Sequence, residues 1–135
     1  MDGAVIHLLD TNICIYIINQ RPPQVLARFD GLRYGSVGIS SITGAELSFG
    51  VAKSGSARNR HALDKFLAPL EVLPFDEAAM RVYGPLRADL QGRGRPIGSL
   101  DMLIAAHALA LGATLVTNNL AEFGRVPGLV CENWV

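Results

Sequence analysis

A chain of 135 residues, 50% of them hydrophobic, has the size of one ordinary domain and enough apolar material for a single buried core, which excludes a disordered chain. Its 12 Lys and Arg balance 12 Asp and Glu, so no global field steers it toward nucleic acid or an acidic membrane, and any site for a polyanion must be local. The apolar stretch from Met102 to Leu111 contains His107 and is too short for the roughly 20 helical residues that a bilayer demands. No signal-peptide pattern is present, and Cys14 and Cys131 share no CxxC or Cys/His spacing, so a soluble protein in a reduced, cytoplasmic setting is expected.

Val5 to Leu9 is a nearly continuous apolar run, as expected of a strand buried on both faces; Thr11-Asn12 then lead into a helix over Ile13 to Ile18. Pro22-Pro23 open a second helix through Phe29, with Val25, Leu26 and Phe29 at helical spacing, and Val37-Gly38-Ile39 reads as the second strand. A third helix starts near Ser41 or Thr43, carries Leu47 and Val51 on its apolar stripe, and stops at Gly55-Ser56. Ala62, Leu63, Phe66 and Leu67 form the stripe of the next helix, which Pro69 ends. Glu71-Val72-Leu73 makes a third strand. Asp76 caps a helix to Leu90 whose face carries Met80, Tyr83, Leu86 and Leu90, with a kink expected at Gly84-Pro85. Ser99 caps an apolar helix ending before Gly112; Thr114-Leu115-Val116 and Leu129-Val130-Cys131 are the last strands. Strands alternating with helices predict right-handed crossovers, a mostly parallel sheet covered on both faces, and one α/β domain over residues 1–135.

Three carboxylates stand where an apolar run ends or a helix begins: Asp10 after the first strand, Glu46 within 41–47, and Asp101 opening 101–106. Each has a structural reading as well. Asp10 would cap the following helix; Glu46 would close a capping box over Thr43-Gly44-Ala45-Glu46; Asp101 would complement a helix dipole. If folding brings them together, repulsion and lost hydration raise their pKa values unless a divalent cation compensates, and a hard ion such as Mg²⁺ suits carboxylate oxygen. In open α/β sheets ligands gather beyond the carboxyl ends of the strands, where both Asp10 and the Thr117-Asn118-Asn119 turn would lie. Thr11, Asn118, Asn119 and Glu122 are candidate contributors from that edge. The loop 92–98 places Arg93 and Arg95 just before Asp101, where they would hold phosphate oxygens; Arg81 and Arg87 would extend the strip. His7, His61 and His107 lack ligand spacing and are read as structural or surface residues.

Leu9-Asp10-Thr11-Asn12, the segment 41–46, Arg95-Pro96-Ile97-Gly98 with Asp101, and Val116-Thr117-Asn118-Asn119 with Glu122-Phe123 together resemble a PIN-domain toxin of the VapC type over nearly the whole chain. The resemblance implies a PIN-like three-layer sandwich and a Mg²⁺- or Mn²⁺-dependent endoribonuclease. It also implies the toxin half of a bacterial toxin–antitoxin pair, with Asp10, Glu46 and Asp101 as acidic core. Related toxins often cut structured RNA such as tRNA, which inhibits translation. Many PIN domains carry an aspartate near Asn119, so Asn119 or Glu122 stands in for a fourth acid; where relatives have Pro after the Ile-Gly step this chain has Ser99-Leu100. A homodimer and a complex with a cognate antitoxin are also implied, the apolar Ile15, Ile18 and Val51 being the residues expected to be covered. Two other classes remain. An aspartyl phosphoacceptor or phosphatase would use Asp10 as nucleophile but wants a second aspartate at Asn12, and a silent RNA-binding module gains nothing from three retained acids.

Overall fold

The computed structural model describes residues 5–33 and 35–135. Among them, five strands and seven helices follow one another as β1 (His7–Leu9), α1 (Thr11–Ile18), α2 (Pro23–Asp30), β2 (Val37–Ser40), α3 (Ser41–Ser54), α4 (Ala57–Leu67), β3 (Glu71–Leu73), α5 (Glu77–Gly92), α6 (Ser99–Leu111), β4 (Thr114–Val116), α7 (Leu120–Phe123) and β5 (Cys131–Glu132). The strands pair in the order β3-β2-β1-β4-β5, every pair parallel. The chain leaves β1 for β2 on one side and later reaches β4 on the other, so the carboxyl end of β1 is a topological switch point.

The pleat of β1 divides the core. Leu8 packs into one layer with Leu86 and Leu90 of α5 and with Met102, Ile104 and Ala105 of α6; Leu9 packs into the other with Ile13, Ile17, Val25, Leu47, Leu63 and Phe66. A sheet buried on both faces needs apolar residues at consecutive positions, which is why β1 and β4 read as unbroken runs rather than as alternation. Gly38 lies against β3: a Cβ there would meet the Glu71 carbonyl oxygen at 2.7 Å. Gly55 and Gly112 close α3 and α6 with φ of 64° and 65°, the left-handed conformation that glycine adopts without steric cost.

Several expected details shift. Met80 is 55% exposed; the buried stripe of α5 is Ala79, Leu86 and Leu90, with Val82 and Tyr83 partly covered. Pro85 lies inside α5 without ending it. The last strand is Cys131–Glu132 rather than 129–131, and Val130 is 62% exposed. Ser40, not Thr43, caps α3 through a bond from the Ile42 amide, and Gly98, not Ser99, precedes α6. The expected capping box is therefore absent, and Glu46 sits in the second turn of α3 with its carboxylate free to reach elsewhere.

Candidate active site

Asp10 caps a helix and is also the first acid of the candidate site. Its backbone amide donates to the Val116 carbonyl at 3.0 Å, fixing it at the end of β1, and the residue is 5% exposed. Oδ1 accepts the Ile13 amide at 3.0 Å and Oδ2 accepts the Thr117 hydroxyl at 2.5 Å. The partner follows from register: Leu9 is opposite Val116, so the next residues of two parallel strands stand side by side. Thr117 joins the candidate site through this bond, and its chemistry alone does not mark it; its place directly after β4 is the signal in the sequence. Burial raises the Asp10 pKa; the bonds from Thr117 and Ile13 pull it down, and the charge of Glu46 pushes it up again.

Glu46, half-buried on α3, accepts the Thr11 hydroxyl on Oε1 at 2.6 Å, which ties the first residue of α1 to the second turn of α3. Asp101 lies in the first turn of α6. Its carboxyl is pushed up to about 7, first by burial, then by contact with Glu122 and by the charges of Glu122, Asp10 and Glu46. Glu122 moves the other way, held low by Asp101, by Asn119 and by the Gly98 amide. The two carboxyls titrate as a pair, Asp101 the member pushed up and Glu122 the member held low. Glu122 Oε1 accepts the Gly98 amide at 3.2 Å and its Oε2 accepts Asn119 Nδ2 at 2.8 Å, so a single acid from α7 holds both the start of α6 and the β4–α7 turn. Gly98 is close to the same group: a Cβ there would lie 3.4 Å from Asp101 Oδ2.

Asp10, Glu46, Asp101 and Glu122 thus form one electrostatic cluster beyond the carboxyl ends of β1 and β4, with Thr11, Thr117 and Asn119 as its neutral donors. Among the described residues no three acidic, histidine or cysteine side chains close on a single metal position. A hard octahedral ion is still suited to them, because Mg²⁺ takes one or two protein carboxylates and completes its shell with water and substrate phosphate. Raised carboxyl pKa values mark the compensating positive charge that the donor set lacks.

The arginines are not gathered there. Arg93 pairs with Asp89 at 3.0 Å and Arg81 with Glu77 at 2.7 Å along their own helix, and Arg87 donates to the Tyr83 hydroxyl at 2.9 Å. Arg95 is exposed and forms no ion pair among the described residues. Arg125 is the cation that the sequence does not point out: it donates to the Pro96 carbonyl at 2.9 Å and its charge helps keep Glu122 ionised. Asn118 Nδ2 donates to the Tyr16 hydroxyl at 2.9 Å, bringing an aromatic ring of α1 to the same turn. Asn12, where a phosphatase would want its second carboxylate, is exposed.

The PIN domain family model matches residues 7–129. The chain belongs to the PIN-domain family. Within that family it groups with VapC ribonucleases. It is 46% identical over 132 residues to ribonuclease VapC2 of Rickettsia felis, covering 96% of this chain and 98% of the relative. It is 44% identical over 128 residues to the tRNA(fMet)-specific endonuclease VapC of Shigella flexneri, covering 94% and 96%. Among solved structures, VapBC2 from Rickettsia felis bound to a DNA fragment from its promoter contains a chain that superposes with a TM-score of 0.90 at 45% identity, covering 97% of this chain and 100% of that one. PIN-domain endonucleases are in general metal-dependent. Among the described residues no helix is long and apolar enough to cross a membrane.

Proposed function

We propose that this chain, acting as one domain, is a Mg²⁺-dependent endoribonuclease, with Mn²⁺ able to substitute, and the toxin of a bacterial toxin–antitoxin pair in the cytoplasm. Its substrate is structured RNA, tRNA above all, and its cleavage inhibits translation. The observation that carries this reading is the cluster of four acids at the switch point, two of them with raised carboxyl pKa values and none paired with a basic side chain among the described residues.

Asp10, Glu46 and Asp101 would hold the ion. When bound, it supplies a positive centre that lowers the pKa of a water molecule and offsets the charge gathering on the phosphate. The chain's own residues do the rest. Thr11 fixes the Glu46 carboxylate and Thr117 fixes that of Asp10, so both acids are oriented before substrate arrives. Asn119 is a donor here and not an acid; it aims Glu122, which serves as the fourth carboxylate beside Asp101. Arg95 supplies a phosphate contact at the rim, with Arg93 the weaker contributor because Asp89 already holds it. In-line attack by water on phosphorus breaks the bond to the 3′ oxygen, a carboxylate takes the proton of the attacking water, and the products carry a 5′-phosphate and a 3′-hydroxyl.

The likeness to VapBC complexes supports an antitoxin partner. A groove of about 320 Å³ between α1, α3 and α4 is lined by Ile15, Ile18, Leu47 and Val51 and reaches Thr11 and Glu46. An apolar antitoxin segment would lie along it and bring a basic side chain to the acids, and a second copy of the chain would cover further apolar helix surface. Co-expression with the neighbouring small gene product should suppress RNA cleavage, and Asp10→Asn should weaken that complex. Cleavage unaffected by the neighbour, or a monomer at micromolar concentration in sedimentation, would remove the respective partner.

A further inference from the structure

Glu46 and Asp101 come from different helices, so their spacing depends on how α3 is held against α6. Helix α6 packs far more extensively on α5 than on α3. A buried side-chain hydrogen bond joins it to the start of α3: His107 Nδ1 lies 2.8 Å from Ser40 Oγ, with the two residues 1% and 0% exposed. Ser40 ends β2 and caps α3, and its Oγ already accepts the Ile42 amide at 3.0 Å. Its proton and its second lone pair both remain available to Nδ1, so a neutral His107 satisfies the bond in either tautomer. Burial lowers the His107 pKa in the same sense, against the opposing charge of Asp76. Phe75 closes the arrangement: its ring meets that of His107 edge-on at 5.5 Å, and its amide donates to Ser41 Oγ at 3.0 Å.

The spacing along the two helices is matched. Glu46 follows Ser40 by six residues (46 − 40) and Asp101 precedes His107 by six (107 − 101), so two arms of about 9 Å run from this corner to the acids. A buried polar pair adds little net stability over apolar side chains of the same shape, while it accepts only one relative placement of its partners. We propose that the Ser40–His107 hydrogen bond is a positioning device that sets α3 against α6 and thereby the separation of the Glu46 and Asp101 carboxylates. Neither residue touches the ion or the RNA. The inference rests on the metal-dependent reading above.

The test measures Mn²⁺ affinity by calorimetry and RNA cleavage kinetics on folded His107→Leu, Ser40→Ala and His107→Asn proteins. For His107→Leu and Ser40→Ala, Mn²⁺ binding should weaken about 10–100-fold and kcat should fall with it, while KM for RNA holds. His107→Asn places an amide group near the position of Nδ1, able to accept from or donate to Ser40 Oγ, and should recover most of both losses. Wild-type Mn²⁺ affinity in folded His107→Leu, or in Ser40→Ala where the leucine variant does not fold, would overturn the proposal and leave the pair a packing feature. A wild-type protein that binds no Mn²⁺ overturns the metal reading itself, and this inference with it.

Discussion

Two places in the molecule hold a crowded carboxylate, and they are built in opposite ways. Glu132 is surrounded by donors and cations: Trp134 Nε1 and Arg28 Nη2 each reach its Oε1 at 3.0 Å, His7 Nε2 stands 3.5 Å away, and Arg28 lies 5.5 Å from the centre of the Trp134 ring. Its pKa is lowered, chiefly by the Trp134 bond and then by the charges of His7 and Arg28. At the switch point Asp10 and Asp101 move upward, because burial and neighbouring acids outweigh the neutral donors. A structural acid is compensated from within the fold; the acids at the switch point are compensated only in part, which leaves room for an ion from outside.

Removing charge from the two places should have opposite consequences. Asp10→Asn, Glu46→Gln or Asp101→Asn should each lower RNA cleavage by about 10²–10³-fold or more, with the melting temperature held or raised because repulsion is relieved. Full activity in a folded single variant would remove that residue from the site. Binding of Mn²⁺ at a hundred times its Kd should stabilise the wild type by about 2.7 kcal/mol, on the order of 10 °C in Tm. Thermal melts with and without the ion read this directly, and an equal shift in Asp10→Asn would place the ion elsewhere.

Glu132→Gln should leave cleavage unchanged and cost about 0.5–1 kcal/mol in denaturant unfolding, since the group is partly exposed and screened. A carboxylate whose folded pKa is depressed contributes stability above its ordinary value of 4.5 and loses it as pH falls through the folded value. The wild type should therefore lose its advantage over Glu132→Gln in acid; an advantage that persists below both values would assign it to packing. The smallest effect is expected at the rim. Charge reversal of Arg95 should weaken RNA binding and flatten the salt slope by about 0.7 for each phosphate no longer neutralised, and reversal of Arg93 should do less because Asp89 competes for it. Equal salt slopes for wild type and the double variant would return both arginines to solvent.

Much of this contrast is legible in the residues. Continuous apolar runs reveal the inner strands because a doubly covered sheet imposes them, and Asp10, Glu46 and Asp101 stand out as acids at the ends of such runs or the starts of helices. What the chain alone leaves open is set by tertiary packing. Thr43 to Glu46 has the form of a capping box, yet the helix starts earlier at Ser40 and Glu46 turns to Thr11 instead. Met80 fits the helical period, but the core lies against Ala79 and Leu86. Arg81 and Arg93 look like a basic strip until their i,i+4 acids claim them. The pairing of Asp101 with Glu122 depends on the turn in which Asn119 Nδ2 holds the Glu122 carboxylate, a tertiary contact.

The most direct measurement is cleavage of tRNA by the purified chain in excess EDTA and after addition of Mg²⁺ or Mn²⁺, with the ends of the products mapped. A metal-dependent site at Asp10, Glu46 and Asp101 predicts no cutting in EDTA, activity restored by either ion in the wild type but not in Asp10→Asn, and fragments bearing 5′-phosphate and 3′-hydroxyl ends. Undiminished cutting in EDTA, or 2′,3′-cyclic phosphate ends, would contradict it.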